Sequence, residues 1–374
     1  MRGNNVLGLI FPNIYDELIP ELTARRTMGS VPFGGKYRLI DFQLSNMVNS
    51  GINNVGVITT NNFASLMDHV GSGKAWDLSK RRGGLTILPP FSQGNSKFNT
   101  PIENIYGVRG FINNSSEEYV LLSECNCVYN MDYHKMLTFH ISSGADITMM
   151  YRNGKIPAQA ETPMILSLGT DSRIEEMLIR PKTLEDDGTC NYAVGCVLMK
   201  RDLLLELVTD CISRNKLDYK RHMLQDNVRN YKFYGYEFCD YSAIICSMDD
   251  YFKANMSLMQ PEIRAQLFNG SRPIYTKVRD DMPSKYGLES SVENSLIAQG
   301  CVIEGEVNNC VISKGVYIGK GAKVSNCVIM QDTKIGENAS LNYVICDKDV
   351  VVKDGRALMG YSSYPIYIAK ASVV

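Results

Sequence analysis

In the last quarter of the chain a branched apolar residue returns at every sixth position. Ile297 and Ile303 are six apart, Ile312, Ile318 and Val324 repeat the interval, and Ile329, Ile335 and Leu341 repeat it again. Turn-forming residues fall between them at Gly300, Gly305, Gly315, Gly319, Gly321, Asn326, Gly336 and Asn338. This period is the signature of a parallel β-helix, in which each coil buries little alone and stacking the coils lines up their inward-facing residues. The register slips at Asn308-Asn309 and Asn326-Cys327.

The pattern upstream is different. Short apolar runs at Val6–Ile10, Asn54–Thr59, Glu118–Leu122 and Asp146–Tyr151 suit buried strands, and helical patterns lie between them. Leu39–Ser50 reads as a helix closed by Gly51, and Asp132–Ser143 as another, capped by Asp132 and stopped by Gly144. Strands alternating with helices predict a layered, Rossmann-like α/β domain with a mixed, mostly parallel sheet. The expected organisation is an α/β domain over 1–256, a linker with Pro261, Pro273 and Pro283 over 257–287, and the β-helix over 288–374. Ligands of open parallel sheets sit beyond the carboxyl ends of the strands, so the loops after Ile10, Thr59 and Leu122 are expected to border the pocket.

Composition narrows the function. The 39 basic and 40 acidic side chains leave a net charge of −1, without the basic field on which non-specific nucleic-acid binding depends. No apolar run reaches the roughly 20 residues that span a bilayer and the N-terminus lacks the order of a secretory signal, so a soluble, cytoplasmic protein is expected. The 11 cysteines contain no Cys-x-x-Cys pair and read as reduced, mostly buried thiols, with Cys125 and Cys127 alternating along one strand. The four histidines, at 69, 134, 140 and 222, form no ligand cluster with them, and no zinc is assigned.

Several blocks carry a resemblance. They are Pro32-Phe33-Gly34-Gly35-Lys36-Tyr37-Arg38, Leu44-Ser45-Asn46 with Asn49-Ser50-Gly51-Ile52, Gly56-Val57-Ile58-Thr59, Trp76-Asp77-Leu78, and Gly83-Gly84-Leu85-Thr86-Ile87-Leu88-Pro89-Pro90. With the terminal β-helix, which the resemblance makes left-handed, they look like glucose-1-phosphate adenylyltransferase, also called ADP-glucose pyrophosphorylase. That family joins ATP and glucose 1-phosphate into ADP-glucose and pyrophosphate for bacterial glycogen synthesis. The chemistry needs glycines that let backbone amides reach phosphates, a basic side chain in the same loop, and carboxylates from two strand ends to hold magnesium.

The resemblance also shows what this chain lacks. The family's glycine-rich loop with its arginine falls between Leu9 and Thr23, where there is neither glycine nor basic residue, and where Asp16, Glu17 and Glu21 are expected to repel a triphosphate. The two metal aspartates align with Asn126 and Ile244, and the family's sugar-phosphate lysine with Arg180. The Gly-Thr-Ala-Asp block near the nucleotide is replaced by Gly107-Val108-Arg109-Gly110-Phe111. Losing one transition-state donor costs roughly 3 kcal/mol, about two orders of magnitude in rate, and several are gone here.

A kept scaffold with a lost site resembles the GlgD-type regulatory subunit of this family. That resemblance implies a non-catalytic or weakly catalytic chain, without a cofactor of its own, in a hetero-oligomer (a tetramer) whose catalytic subunit carries the magnesium. Arg25, Arg26, Lys36 and Arg38 are candidates for binding a phosphorylated effector, Lys36 by its match to a lysine near the family's activator site. One alternative is an active nucleotidyltransferase with relocated ligands, Glu124 among them. The other, a hexapeptide-repeat acyltransferase, is disfavoured because no histidine follows His222 to act as base.

Overall fold

The computed structural model describes residues 5–80, 83–89, 100–156, 163–179 and 188–374. In the N-terminal part, β1 (Val6–Phe11), β2 (Asn54–Ile58), β3 (Gly84–Leu88) and β4 (Tyr119–Glu124) form the parallel centre of a sheet. Two strands follow β4: the short β5 (Cys127–Tyr129) lies outside this sheet, and the longer β6 (Ile147–Lys155) belongs to it. The sheet is completed by β7 (Met164–Leu168), β8 (Ile174–Ile179), β9 (Thr189–Lys200) and β10 (Phe233–Glu237), in the order β8-β7-β9-β4-β1-β2-β3 with β6 between β9 and β10. The long β9 runs antiparallel to β4 and β6, which makes the sheet mixed. Val6 through Phe11 are all buried, as expected of a strand covered on both faces.

Helix α1 (Leu39–Asn49) follows a tight hairpin and is capped by its own third residue, Asp41, whose carboxylate accepts the Arg38 backbone N–H at 2.9 Å. Beside its buried Ile40, Leu44 and Met47 the helix buries polar side chains that are all hydrogen-bonded. Gln43 Nε2 donates to the Cys127 carbonyl at 2.8 Å, Asn46 Nδ2 to the Tyr129 carbonyl at 3.0 Å, and Ser45 Oγ accepts the Tyr275 N–H at 2.9 Å. The Leu44-Ser45-Asn46 block is therefore scaffolding that ties β5 and the linker to the sheet. Helix α2 (Tyr133–Ser142) is capped by Asp132, which accepts the His134 N–H at 3.0 Å, and Gly144 beyond its end takes φ +62°. Cys125 and Cys127 do not share one strand: β4 ends at Glu124 and the chain turns through Cys125 and Asn126 before β5 begins.

From Lys285 the chain winds into three parallel five-stranded sheets, a left-handed parallel β-helix. Val311 pairs with Val328, and Val328 with Ile345, a return every 17 residues. The register slips of the sequence are corners of the coil. Asn309 and Asn326 take φ of +51° and +50°, a left-handed conformation that asparagine tolerates, and their amides form a ladder with Asn309 Nδ2 2.7 Å from Asn326 Oδ1 and Asn326 Nδ2 2.9 Å from Asn342 Oδ1. Ile303, Ile318, Ile335 and Val352 stack inside, all buried.

One face of the β-helix packs on the α/β domain. Val311, Val328 and Ile345 share a buried cluster with Phe33, Phe42, Tyr251 and Phe252. Helix α4, preceded by α3 (Arg201–Ser213), spans Met248–Ser257, with Ser247 Oγ accepting the Asp250 N–H at 3.0 Å. From it Tyr251 Oη donates to the Pro32 carbonyl at 2.6 Å, and Asn255 Oδ1 accepts the Gly34 N–H at 2.9 Å. Gly34 and Gly35, at φ +59° and +84°, allow the hairpin to turn there; a side chain at Gly35 would press on the Ile312 carbonyl 3.3 Å away.

Candidate functional site

A cavity opens at the carboxyl ends of β1 and β4. Its walls include the loop after β1 with Tyr15 and Leu18, Glu124 at the end of β4 and Asn126 in the turn beyond it, β9 with Tyr192, and a π-helical turn over Tyr219–Leu224. Ile244, at the end of β11 (Ser242–Ile244), closes the floor opposite Cys127 of β5. The two positions aligned with metal ligands thus border one cavity, and the Ile245 N–H donates to the Asn126 carbonyl at 2.8 Å.

The loop after β1 enters this space with a side chain. Tyr15 Oη donates to Glu124 Oε2 at 2.9 Å, and the Lys220 ammonium stands 5.3 Å from the centre of the Tyr15 ring. Burial pushes the Glu124 carboxyl up, against the opposing effects of Lys220 and of the Tyr15 hydrogen bond. Burial also raises Tyr15 far above an ordinary phenol, so it stays a donor at neutral pH.

Asp16 does not face the cavity. It folds back into its own loop, accepting the Met28 N–H at 2.6 Å and Asn13 Nδ2 at 2.7 Å, and burial raises its carboxyl to about 6. Glu17 and Glu21 are exposed. The expectation that these three carboxylates repel a triphosphate is therefore replaced by a steric one: Tyr15 and Leu18 stand in the wall, and no acidic side chain of this loop does. The loop after Thr59 does not line the cavity either. It braces the loop after β1, with the Thr60 N–H on Asn13 Oδ1 at 3.1 Å and Asn13 Nδ2 on the Asn61 carbonyl at 3.0 Å.

A second cleft lies between the domains. Lys36, Arg38, Lys277, Arg279, Lys314 and Lys348 line it, with Asp68 as the one lining carboxylate. Lys277 reaches Asp68 at 3.2 Å and Lys314 reaches Asp281 at 3.2 Å. Burial, then the nearby Arg38 and Arg26, push the Lys348 ammonium down to about 7. On the same wall His69 Nε2 meets Asp41 Oδ1 at 2.6 Å, and burial lowers the imidazole below its ordinary value in spite of that carboxylate.

Of the four expected effector residues, Lys36 and Arg38 line this cleft, and Arg38 Nη1 also donates to the Ser65 carbonyl at 2.7 Å. Arg26 is buried, with its guanidinium bound to both carboxylate oxygens of Asp347 at 2.8 Å. Arg25 is exposed and is not part of the lining. Arg180 lies outside the described residues, as do Arg81 and Arg82. The reading of single residues missed Tyr192, Tyr219, Lys220, Lys277, Lys314 and Lys348, whose surroundings carry no local motif.

Residues 18–161 match the nucleotidyl transferase family, and residues 281–363 match the family described as GlmU-like, C-terminal hexapeptide. The chain is 35% identical over 376 residues to glycogen biosynthesis protein GlgD of Bacillus subtilis (strain 168), covering 100% of this chain and 98% of that one. It is 33% identical over 327 residues to glucose-1-phosphate adenylyltransferase of Clostridium acetobutylicum, covering 86% and 84%. The chain belongs to the glucose-1-phosphate adenylyltransferase family. A second glycogen biosynthesis protein GlgD, from Geobacillus stearothermophilus, is 36% identical over 333 residues, covering 86% and 83%.

The family resemblance implies a magnesium ion at the first cavity, and its walls can be tested against that ion. Magnesium prefers an octahedron of oxygen ligands supplied by carboxylates, phosphates and water. The two family positions here offer an amide and a hydrocarbon, and Asn126 Oδ1 already lies 3.4 Å from the Cys127 thiol as its acceptor. Among the described residues no three His, Cys, Asp or Glu side chains converge on one point. These residues do not fit the ion. Among the same residues no helix is long and apolar enough to cross a membrane.

Proposed function

We propose that this chain is a non-catalytic or weakly catalytic regulatory subunit of glucose-1-phosphate adenylyltransferase, acting in glycogen biosynthesis through a hetero-oligomer, a tetramer, with a catalytic subunit. The observation that carries this reading is the Tyr15–Glu124 hydrogen bond across the cavity. Where the family brings a phosphate-binding loop to a pair of magnesium carboxylates, this chain brings a phenol to a single buried carboxylate. Glu124 as a relocated ligand is disfavoured by the same contact, because its Oε2 is already an acceptor and neither Asn126 nor Ile244 supplies a second carboxylate.

On this reading the chain needs no metal of its own, magnesium belongs to the catalytic partner, and the basic cleft between the domains receives a phosphorylated small molecule. Lys36, Arg38 and Lys348 supply cationic donors there. The test is pyrophosphate release from ATP and glucose 1-phosphate by the purified chain, alone and co-expressed with the catalytic subunit of the same organism. The reading requires background rates alone and a changed rate, substrate affinity or effector response in the mixture. Magnesium-dependent turnover by the chain alone, at the rate of an active relative, would refute it.

A further inference from the structure

The first cavity does not fit magnesium, yet it has the make-up of a small-molecule site. Met149, Met164, Val197, Leu224 and Ile244 give it a largely apolar wall, and three phenols, Tyr15, Tyr192 and Tyr219, stand among them. Beside it β9 bulges: from Ala193 to Val197 it advances four residues while its partner β6 advances two, from Tyr151 to Met149. Gly195 lies inside the bulge at φ +50°, where a Cβ would come 2.7 Å from Glu124 Oε2. The bulge and its glycine thus leave room for a carboxylate in an otherwise apolar wall.

Two polar atoms of that wall have no partner. Glu124 Oε2 accepts the Tyr15 hydroxyl, and among the described residues Glu124 Oε1 makes no hydrogen bond. Asn126, only 4% exposed, accepts the Cys127 thiol on Oδ1, and among the same residues its Nδ2 donates to nothing. Leaving a buried amide N–H unpaired is costly, so the two side chains together call for a group that accepts from Asn126 and donates to Glu124. An amide carries acceptor and donor on separate atoms and can meet both. Charge in the wall is already matched, with the Glu124 carboxylate and the Lys220 ammonium over the Tyr15 ring, so an ionic ligand of either sign would face a like charge. Thioethers and phenols are suited to the faces and edges of a flat ring.

We propose that this cavity binds a small, uncharged aromatic molecule bearing an amide, its ring between Tyr192, Tyr219 and Met164 and its polar group on Glu124 and Asn126. The site is separate from the basic cleft. It goes beyond the regulatory reading and does not depend on it, since every element that forms it belongs to this chain.

Ligand-detected NMR titration of the purified chain tests this with three probes of one shape: benzamide, which is uncharged, benzoate, an anion, and benzamidine, a cation. Benzamide is expected to bind with a dissociation constant on the order of 1 mM, the range open to so small a molecule, and both ions at least tenfold more weakly. Asn126→Leu removes the donor at similar volume and should weaken benzamide at least tenfold. Ile244→Phe fills part of the cavity, leaves both polar atoms in place and should do the same. Lys36→Ala, in the basic cleft, should leave the titration unchanged, and circular dichroism confirms the fold of each variant. Tighter binding of benzoate or benzamidine overturns the choice of an uncharged ligand. Benzamide binding that survives both cavity variants, or that falls with Lys36→Ala, overturns the site, and the absence of saturable benzamide binding overturns the proposal as a whole. None of these results bears on the regulatory reading, which stands or falls by pyrophosphate release.

Discussion

Arg26 and Asp347, 321 positions apart in the chain, meet in an ion pair in which Arg26 Nη2 lies 2.8 Å from each carboxylate oxygen, with side-chain exposures of 4% and 3%. Tyr367 Oη stands 3.0 Å from Asp347 Oδ2 and 2.7 Å from the Glu21 carbonyl, so the pair joins the loop after β1 to the β-helix through a third group. Removing one partner leaves the other charge buried and unpaired. Arg26→Ala is expected to cost about 3–5 kcal/mol, read from urea unfolding, whereas replacing the pair together by Arg26→Met and Asp347→Leu should recover most of that loss. A loss below about 1 kcal/mol in the single variant would show that water reaches the carboxylate.

Restoring the metal positions alone should not restore chemistry. The double variant Asn126→Asp, Ile244→Asp is expected to release no pyrophosphate above background, because Tyr15 and Leu18 still stand in the cavity wall. Magnesium-dependent activity in that variant would show that the loop after β1 is no obstacle. Tyr15→Phe strips Glu124 of its phenolic donor and should destabilise the fold by about 1–3 kcal/mol.

The low value at Lys348 sets a pH dependence. Its folded-state value of about 7 lies below that of an exposed lysine, near 10, so between these limits the unfolded chain binds more protons. Stability from this position is present above the upper limit and is lost as pH falls through 7. The thermal midpoint is therefore expected to rise from pH 6.5 to pH 9 in wild type, and to rise less in Lys348→Met. Inorganic phosphate in the cleft favours the ammonium form and should flatten the wild-type slope. An identical slope in Lys348→Met would assign the effect to another group.

The asparagine ladder is expected to answer differently to two substitutions at one site. Asn326→Ala loses both ladder contacts and forces an alanine into φ near +50°, for a combined cost of about 2 kcal/mol. Asn326→Gly loses the contacts and keeps the conformation, so denaturant midpoints should place it between wild type and the alanine variant. Equal losses would mean that the backbone conformation contributes little.

Much of the fold could be read from local pattern. The six-residue spacing of Ile297 with Ile303, and of Ile312 with Ile318, produces the β-helix because those side chains point inward from its strands. Asp132 and Gly144 bound a helix for reasons that lie within one turn of the chain. Element ends moved, as at β4, which runs on to Glu124 where an end at Leu122 was expected, and the strand expected to carry both Cys125 and Cys127 is broken by a turn. The site was legible only as a set of losses at Asn126 and Ile244. What fills it depends on contacts between distant segments: Tyr15 with Glu124, Lys220 over Tyr15, and Arg26 with Asp347. No periodicity or spacing encodes such pairs, and a surface arginine and a buried one look alike in sequence.

The contact between Tyr15 and Glu124 also bears on whether this lineage could retrace its steps. A lone aspartate at position 126 or 244 would place a second carboxylate in the wall that already holds the buried Glu124, and so would weaken the folded protein before any phosphate could be held. A glycine-rich loop without those aspartates would free Glu124 of its donor and offer nothing to selection in return. On the function proposed above, each single reversal leads downhill, and the Tyr15–Glu124 contact acts as a ratchet on the loss of catalysis.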